Sequence, residues 1–103
     1  MSFVAVDPAT GKQTNEVPFK SSAQTELKVA SAHAAYLDWR LLSVEERVRP
    51  LAEMGRLLRE RKDAFGALMT SEMGKPISQA TAEAEKCAWV CDYYAEQLSL
   101  IHI

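Results

Sequence analysis

Apolar residues recur at helical spacing in three stretches of this 103-residue chain. The steps alternate mostly between three and four residues, which places these side chains on one face of a helix. The faces comprise Leu27, Ala30, Ala34, Leu37 and Leu41 in the first stretch, Val44, Val48, Leu51, Gly55, Leu58, Phe65 and Met69 in the second, and Ile77, Ala80, Ala84, Cys87, Cys91, Tyr94 and Leu98 in the third. The second face is interrupted only by Lys62. The pattern predicts three long amphipathic helices.

The first predicted helix has a second apolar face, made by Val29, Ala32, Tyr36 and Trp39. A helix with two apolar faces is normally covered from more than one side. Three helices alone would have difficulty covering both faces, so the pattern indicates that packing partners of this helix are missing from the chain.

Capping boxes predict where the first two helices begin. Ser21 is followed three residues later by Gln24, and Ser43 by Glu46. The polar face of the second helix offers three pairs at i,i+4, which are Glu45–Arg49, Arg56–Glu60 and Arg59–Asp63. Pro50 disrupts the hydrogen bonding of a regular helix. It therefore predicts either a kink or a helix that begins near Pro50.

Gly74 and Pro76 predict a sharp corner between the second and third helices. Glycine readily adopts the left-handed conformation that ends a helix, and proline suits the first position of the next one. Lys75 lies between them, where the helix dipole disfavours a positive charge. A carboxylate partner is the ordinary explanation for Lys75, and contact with a substrate anion is the alternative.

The first 19 residues predict a β-hairpin. Residues 3–6 and 13–19 are rich in β-branched and aromatic side chains, and they flank Asp7-Pro8-Ala9-Thr10-Gly11-Lys12. This linking segment suits a type I turn with Pro8 at its second position and Gly11 at positive φ.

Composition limits the range of functions. The length corresponds to one domain or part of one, and a net charge of −2 gives no reason to expect nucleic acid or anionic lipid as a partner. No apolar run approaches the roughly 20 residues of a membrane span, and no secretory signal is evident. Two cysteines do not make a disulfide framework. We therefore expect a cytoplasmic protein with reduced thiols.

Few residues are candidates for chemistry. Cys87 and Cys91 lie on the apolar face without further metal ligands, so buried small side chains are the ordinary interpretation. His33 and His102 have no evident partner as general bases. Neither G-x-G-x-x-G nor G-x-x-x-x-G-K-[ST] occurs. We assign no catalytic, cofactor-binding or metal-binding residue within this chain.

The order of several short motifs resembles the N-terminal region of the aldehyde dehydrogenase superfamily. The matching segments are residues 7–12 with Val17-Pro18, residues 30–39, Glu45-Glu46-Arg47, Glu72-Met73-Gly74-Lys75-Pro76, Ala82-Glu83 and residues 86–96. The last two are most similar to the bacterial succinate-semialdehyde dehydrogenase branch. The resemblance implies NAD- or NADP-dependent oxidation of an aldehyde to a carboxylic acid through a cysteine nucleophile and a glutamate base, both of which the family carries later in its sequence.

The resemblance also implies a fold class. The chain itself is expected to be mainly α, with an N-terminal β-hairpin and then three long helices, as a fragment of an α/β Rossmann-like cofactor-binding domain. Residues 1–97 would be the N-terminal part of that domain, and residues 98–103 a non-native tail. The fragment would be inactive and bind no cofactor, whereas its parent would be a homodimer or homotetramer that binds an aldehyde and NAD or NADP.

A second hypothesis needs no larger parent. The chain could be a small helical interaction or scaffold module that self-associates through its apolar helix faces.

Overall fold

The computed structural model describes residues 1–98 and 100, and these form a β-hairpin followed by helices. The elements are β1 (Ser2–Val6), β2 (Gln13–Pro18), α1 (Ser22–Trp39), α2 (Val44–Glu60), α3 (Lys62–Met73) and α4 (Ile77–Gln97). The mainly helical class with an initial hairpin is confirmed. The number of helices was wrong, since the described chain has four rather than three. The predicted non-native tail lies outside the described residues except for Leu98 and Leu100.

The hairpin pairs its strands antiparallel, from Ser2 opposite Pro18 to Val6 opposite Gln13. The backbone N–H of Gly11 donates to the carbonyl of Asp7 at 2.8 Å, and Gly11 has the predicted positive φ of 72°. This bond closes a turn one residue wider than the i→i+3 bond of the predicted type I turn. The side chain of Asp7 accepts a further bond from the Ala9 N–H at 2.8 Å.

Helix α1 begins as predicted but contributes nothing to the core. Both bonds of the Ser21–Gln24 capping box are present. No residue of α1 is buried, and the helix makes at most marginal contact with any other element. Its two apolar faces are therefore left open, with Leu27 71% and Val29 66% exposed.

The second predicted helix is divided at Arg61. Helix α2 begins at Val44 behind the predicted Ser43–Glu46 capping box and continues through Pro50. Of the two alternatives for Pro50, a helix that begins there was wrong, and the kink stays a prediction. At Arg61 the backbone leaves helical geometry, with φ −108° and ψ 17°. Residues 56–65 contain neither glycine nor proline, and the only interruption of the predicted apolar face is Lys62, directly after the break.

The core is the line along which α4 packs on α2 and α3. Its buried side chains are small, namely Ala80, Ala84, Ala88 and Cys91 of α4. Gly55 of α2 and Gly66 of α3 are also buried. Small residues on both sides let the helix backbones approach closely, so the described chain has a narrow core without a fully buried large side chain.

The corner between α3 and α4 has the predicted glycine geometry. Gly74 adopts φ 76° and ψ 17°, and its N–H donates to the Thr70 carbonyl. The Thr70 hydroxyl donates to the Lys75 carbonyl at 2.7 Å. We predicted Pro76 as the first helical residue of α4. It is instead the N-cap residue, and the helix begins one position later, at Ile77. Pro8 of the hairpin turn lies against Gly74, so the hairpin rests on this corner.

The molecule is extended and thin for its length. Its Cα radius of gyration is 17.8 Å, against about 13 Å for a compact domain of this size. Its accessible surface is 8050 Å², against roughly 5,800 Å² for a compact monomer of this mass. The excess surface indicates that many apolar side chains that a compact domain of this size would bury remain exposed here.

Candidate functional site

A charged cluster joins α2 and α3 to α4. The Arg59 guanidinium donates to a carboxylate oxygen of Glu85 at 3.0 Å and lies 2.5 Å from an oxygen of Asp92. Lys62 approaches the other Glu85 oxygen at 4.0 Å. The hydrogen bonds that Arg59 donates, first to Asp92 and second to Glu85, raise the pKa of its guanidinium above the usual range.

The predicted pairs of the second helix have mixed outcomes. Arg56 pairs with Glu60 at 2.7 Å as predicted, and also with Glu53 at 2.5 Å. Arg59 does not pair with Asp63, because its side chain turns to α4 instead. The Glu45–Arg49 pair is not among the ion pairs of the described chain. The signal that sequence reasoning missed is the seven-residue spacing of Glu85 and Asp92, which places two carboxylates on one face of α4.

Lys75 has the carboxylate partner that its position called for. Its ammonium group forms an ion pair with Glu83 on the second turn of α4. This contact lowers the pKa of Glu83 below its usual value. Together with Gln79, Ala82 and Lys86, the pair lines a shallow depression on α4. Because Glu83 already compensates the Lys75 charge, the geometry does not favour an anion contact at Lys75.

The cysteines and His33 do not form a cluster that could carry chemistry. Cys87 is exposed, whereas Cys91 is buried, so only one of the two has the predicted buried position. Among residues 1–98 and 100, no group of three or more His, Cys, Asp and Glu residues could hold a metal ion. His33 lies beside the ring of Tyr36, with 6.1 Å between ring centroids, and His102 is outside the described residues.

An aromatic patch on α4 is the most distinctive exposed surface near the core. It consists of Trp89, Val90, Tyr93 and Tyr94, with Lys86 at its edge. Trp89 is 61% and Tyr93 57% exposed. Tyr94 is 49% exposed although the periodicity placed it on the buried face, because the core ends at Cys91. Together with the open faces of α1, this patch has the character of a surface that another structural layer covers.

The helices of the described chain are too short or too polar to cross a membrane.

These features define a hairpin and a helical layer with open apolar faces. The chain belongs to the aldehyde dehydrogenase family, whose defining sequence pattern matches residues 1–102.

Named relatives and solved structures of the family cover nearly the whole chain. The NAD(P)+ succinate semialdehyde dehydrogenase of Escherichia coli K12 is 39% identical over 93 residues, which are 90% of this chain and 20% of that protein. A succinate-semialdehyde dehydrogenase structure from Burkholderia pseudomallei superposes with a TM-score of 0.86 at 31% identity, covering 93% of this chain and 20% of that chain.

A third match is a structure of NADP-dependent glyceraldehyde-3-phosphate dehydrogenase from Bacillus halodurans in complex with NADP. Its TM-score is 0.89 at 27% identity, over 93% of this chain and 20% of that chain. The chain thus spans about a fifth of the length of the relatives that it matches.

Proposed function

We propose that this chain is the N-terminal part of an NAD(P)-dependent aldehyde dehydrogenase that oxidises succinate semialdehyde, or a similar small aldehyde, to its carboxylic acid. Residues 1–97 form the opening hairpin and outer helical layer of a Rossmann-like cofactor-binding domain. The choice of aldehyde rests on the names of the relatives, which are 39% and 31% identical to this chain.

The observation that carries this proposal is the isolation of α1. A helix of 18 residues with two exposed apolar faces gains little from packing within this chain. Such a helix needs a cover on more than one side, and the sheet of a larger α/β domain supplies one. The exposed aromatic patch of α4 is covered in the same way by the rest of the parent protein.

Binding of the nicotinamide cofactor and the chemical step belong to the rest of the parent. The family resemblance places the nucleophilic cysteine, the glutamate base and the cofactor-binding loops later in the sequence, and this chain has no glycine-rich phosphate motif. Cys87 is exposed and Cys91 is buried, and we assign neither a catalytic role. The parent assembles as a homodimer or homotetramer, and the chain alone is inactive.

The activity is tested on the complete polypeptide that contains this sequence. Purified protein is assayed for NADH and NADPH formation with succinate semialdehyde and with a panel of aliphatic and aromatic aldehydes. We expect turnover that is fastest with small acidic aldehydes. Absence of NAD(P)+ reduction with every aldehyde would refute the proposed activity.

The fragment hypothesis has its own test, which uses the 103-residue chain. Sedimentation and binding of a hydrophobic dye distinguish a layer with open apolar faces from a compact self-associating module. We expect strong dye binding without a single discrete oligomer. A stable dimer that binds no dye would favour the interaction module, and tight binding of NAD by this chain would contradict the placement of the cofactor loops elsewhere.

A further inference from the structure

The side chain of Arg47 has a buried hydrogen-bond donor without an acceptor. Its Nε atom is shielded from solvent and, among the described residues, is the only buried side-chain nitrogen or oxygen that forms no hydrogen bond. Buried polar groups in proteins nearly always have a partner, and a guanidinium stays positively charged in a protein. The unused donor therefore indicates that the partner of Arg47 lies outside the described residues.

The acidic residues of α2 do not supply the missing acceptor. The carboxylate of Glu46 accepts a hydrogen bond from the Ser43 N–H at 3.0 Å within the capping box. Glu45 is exposed. The two remaining glutamates of the helix form ion pairs with Arg56. The positive charge of Arg47 is thus left without a carboxylate on its own helix.

Arg47 lies at the level of the C-terminal end of α4. Gly55 lies close to Ala88, whereas Gly66 lies close to Thr81, so the α2–α3 segment runs antiparallel to α4. Arg47 precedes Gly55 by eight residues, which is about 12 Å along a helix axis. The same distance along α4 from Ala88 leads to the last turn of that helix.

In the proposed parent, the polypeptide continues from this end of α4. Consecutive elements of a chain are usually adjacent in space, so the segment that follows residue 103 is the nearest source of an acceptor for Arg47. A second subunit has no comparable reason to place an acceptor at this point.

We propose that Arg47 binds a carboxylate in the segment that follows residue 103 of the same polypeptide, and so holds that segment on the helical layer. The Nε–H and one Nη–H of a guanidinium form a planar fork that fits the two oxygens of a carboxylate, which also balances the charge. The inference rests on the proposed function only in that this chain must be part of a longer protein, and it does not depend on the aldehyde or on turnover.

The first test is a crystal structure of the complete, unmodified polypeptide. We expect the Nε–H and one Nη–H of Arg47 to donate to an Asp or Glu carboxylate beyond residue 103 of the same subunit. A bond from this Nε–H to a residue within 1–103, to another subunit or to water alone would overturn the proposal. An active enzyme without the bond would refute this inference alone, whereas an inactive protein with the bond would refute only the proposed activity.

The second test compares Arg47→Met with Arg49→Met in the complete polypeptide by amide hydrogen exchange and mass spectrometry. Arg49 lies on the same helix and is exposed, so its replacement removes an equal charge without removing a buried donor. For Arg47→Met we expect about tenfold faster exchange in one segment beyond residue 103, because a hydrogen bond to a charged group is lost there. Arg49→Met should leave exchange in that segment unchanged. An equal increase in both variants would contradict the proposal.

Arg47→Lys covers the case in which Arg47→Met does not fold. Lysine keeps the positive charge but has no donor at the Nε position and no planar fork. We expect the same segment beyond residue 103 to exchange faster than in the unmodified protein. Faster exchange confined to residues 1–103, or no change anywhere, would show that Arg47 does not hold a later segment.

Discussion

Gly74 is constrained in two independent ways. Its φ of 76° lies in the left-handed region, and a Cβ atom added there would lie 3.3 Å from Cγ of Pro8. Gly11 has a similar φ of 72°, but a Cβ atom added to it would meet nothing within 4 Å. Both glycines therefore have a left-handed backbone conformation, but only Gly74 is also in close contact with another residue, Pro8.

Replacing Gly74 with alanine should lower the free energy of unfolding by about 1–2 kcal/mol, since a left-handed conformation is costly for any residue with a Cβ. Gly11→Ala, the matched control, should cost about 1 kcal/mol because only the backbone term applies. Urea unfolding followed by circular dichroism measures both. Equal costs would show that the Pro8 ring accommodates the added Cβ atom at no cost in stability.

The ion pair of Lys75 with Glu83 gives a prediction for pH dependence. Because Lys75 lowers the pKa of Glu83, the folded state favours the charged carboxylate. The resulting stabilisation is present above the pKa of Glu83 in the unfolded chain and is lost as pH falls through its lower value in the folded chain. The stabilisation from this ion pair is therefore lost in acid, and it does not change between neutral and mildly alkaline pH.

Lys75→Met should raise the pKa of Glu83 toward its ordinary value, as measured by NMR titration of the side-chain carboxyl carbon. Lys86→Met, the control, should raise it less, since Lys86 acts only as a weaker neighbouring charge. An unchanged Glu83 titration in Lys75→Met would mean that the ion pair does not persist in solution.

At the scale of elements, the two capping boxes are alike in geometry and differ in what their helices contact. Ser43 caps α2, which packs on α4, whereas Ser21 caps α1, which has no buried residue. Local hydrogen bonding is the same in both, so any difference in their effect on global stability comes from tertiary packing.

Ser43→Ala should lower the free energy of unfolding by about 1 kcal/mol, because the Glu46 N–H loses its acceptor. Ser21→Ala removes an equivalent bond to Gln24. It should increase fraying of the first turn of α1, seen in amide hydrogen exchange, with little change in the unfolding midpoint. A midpoint shift as large as that of Ser43→Ala would show that α1 is coupled to the core.

At the scale of the molecule, exposed apolar surface dominates the expected behaviour. Leu27→Lys removes an apolar side chain that is 71% exposed on α1. It should reduce the fluorescence of a bound hydrophobic dye, while changing the free energy of unfolding by no more than about 0.5 kcal/mol, as for most surface substitutions. Ser31→Lys adds the same charge to α1 without removing apolar surface, so dye fluorescence should stay unchanged.

Much of the fold could be predicted from local sequence. The capping serines bond to residues three positions away, and the Gly11 turn closes over four residues, so their partners are visible in the sequence itself. The same holds for the Gly74 corner. The family was also evident, because its short motifs occur in a fixed order, and the match over residues 1–102 confirms it.

Only the tertiary structure decided the features that depend on contacts between residues far apart in the sequence. The direction of the Arg59 side chain depends on Glu85 and Asp92, which lie 26 and 33 positions from Arg59 in the sequence. Cys91 is the last buried residue of α4, and Tyr94, which the periodicity placed on the same face, is 49% exposed. Helical periodicity gives the faces that can be buried, but only the packing of one helix on another decides which part of each face is covered.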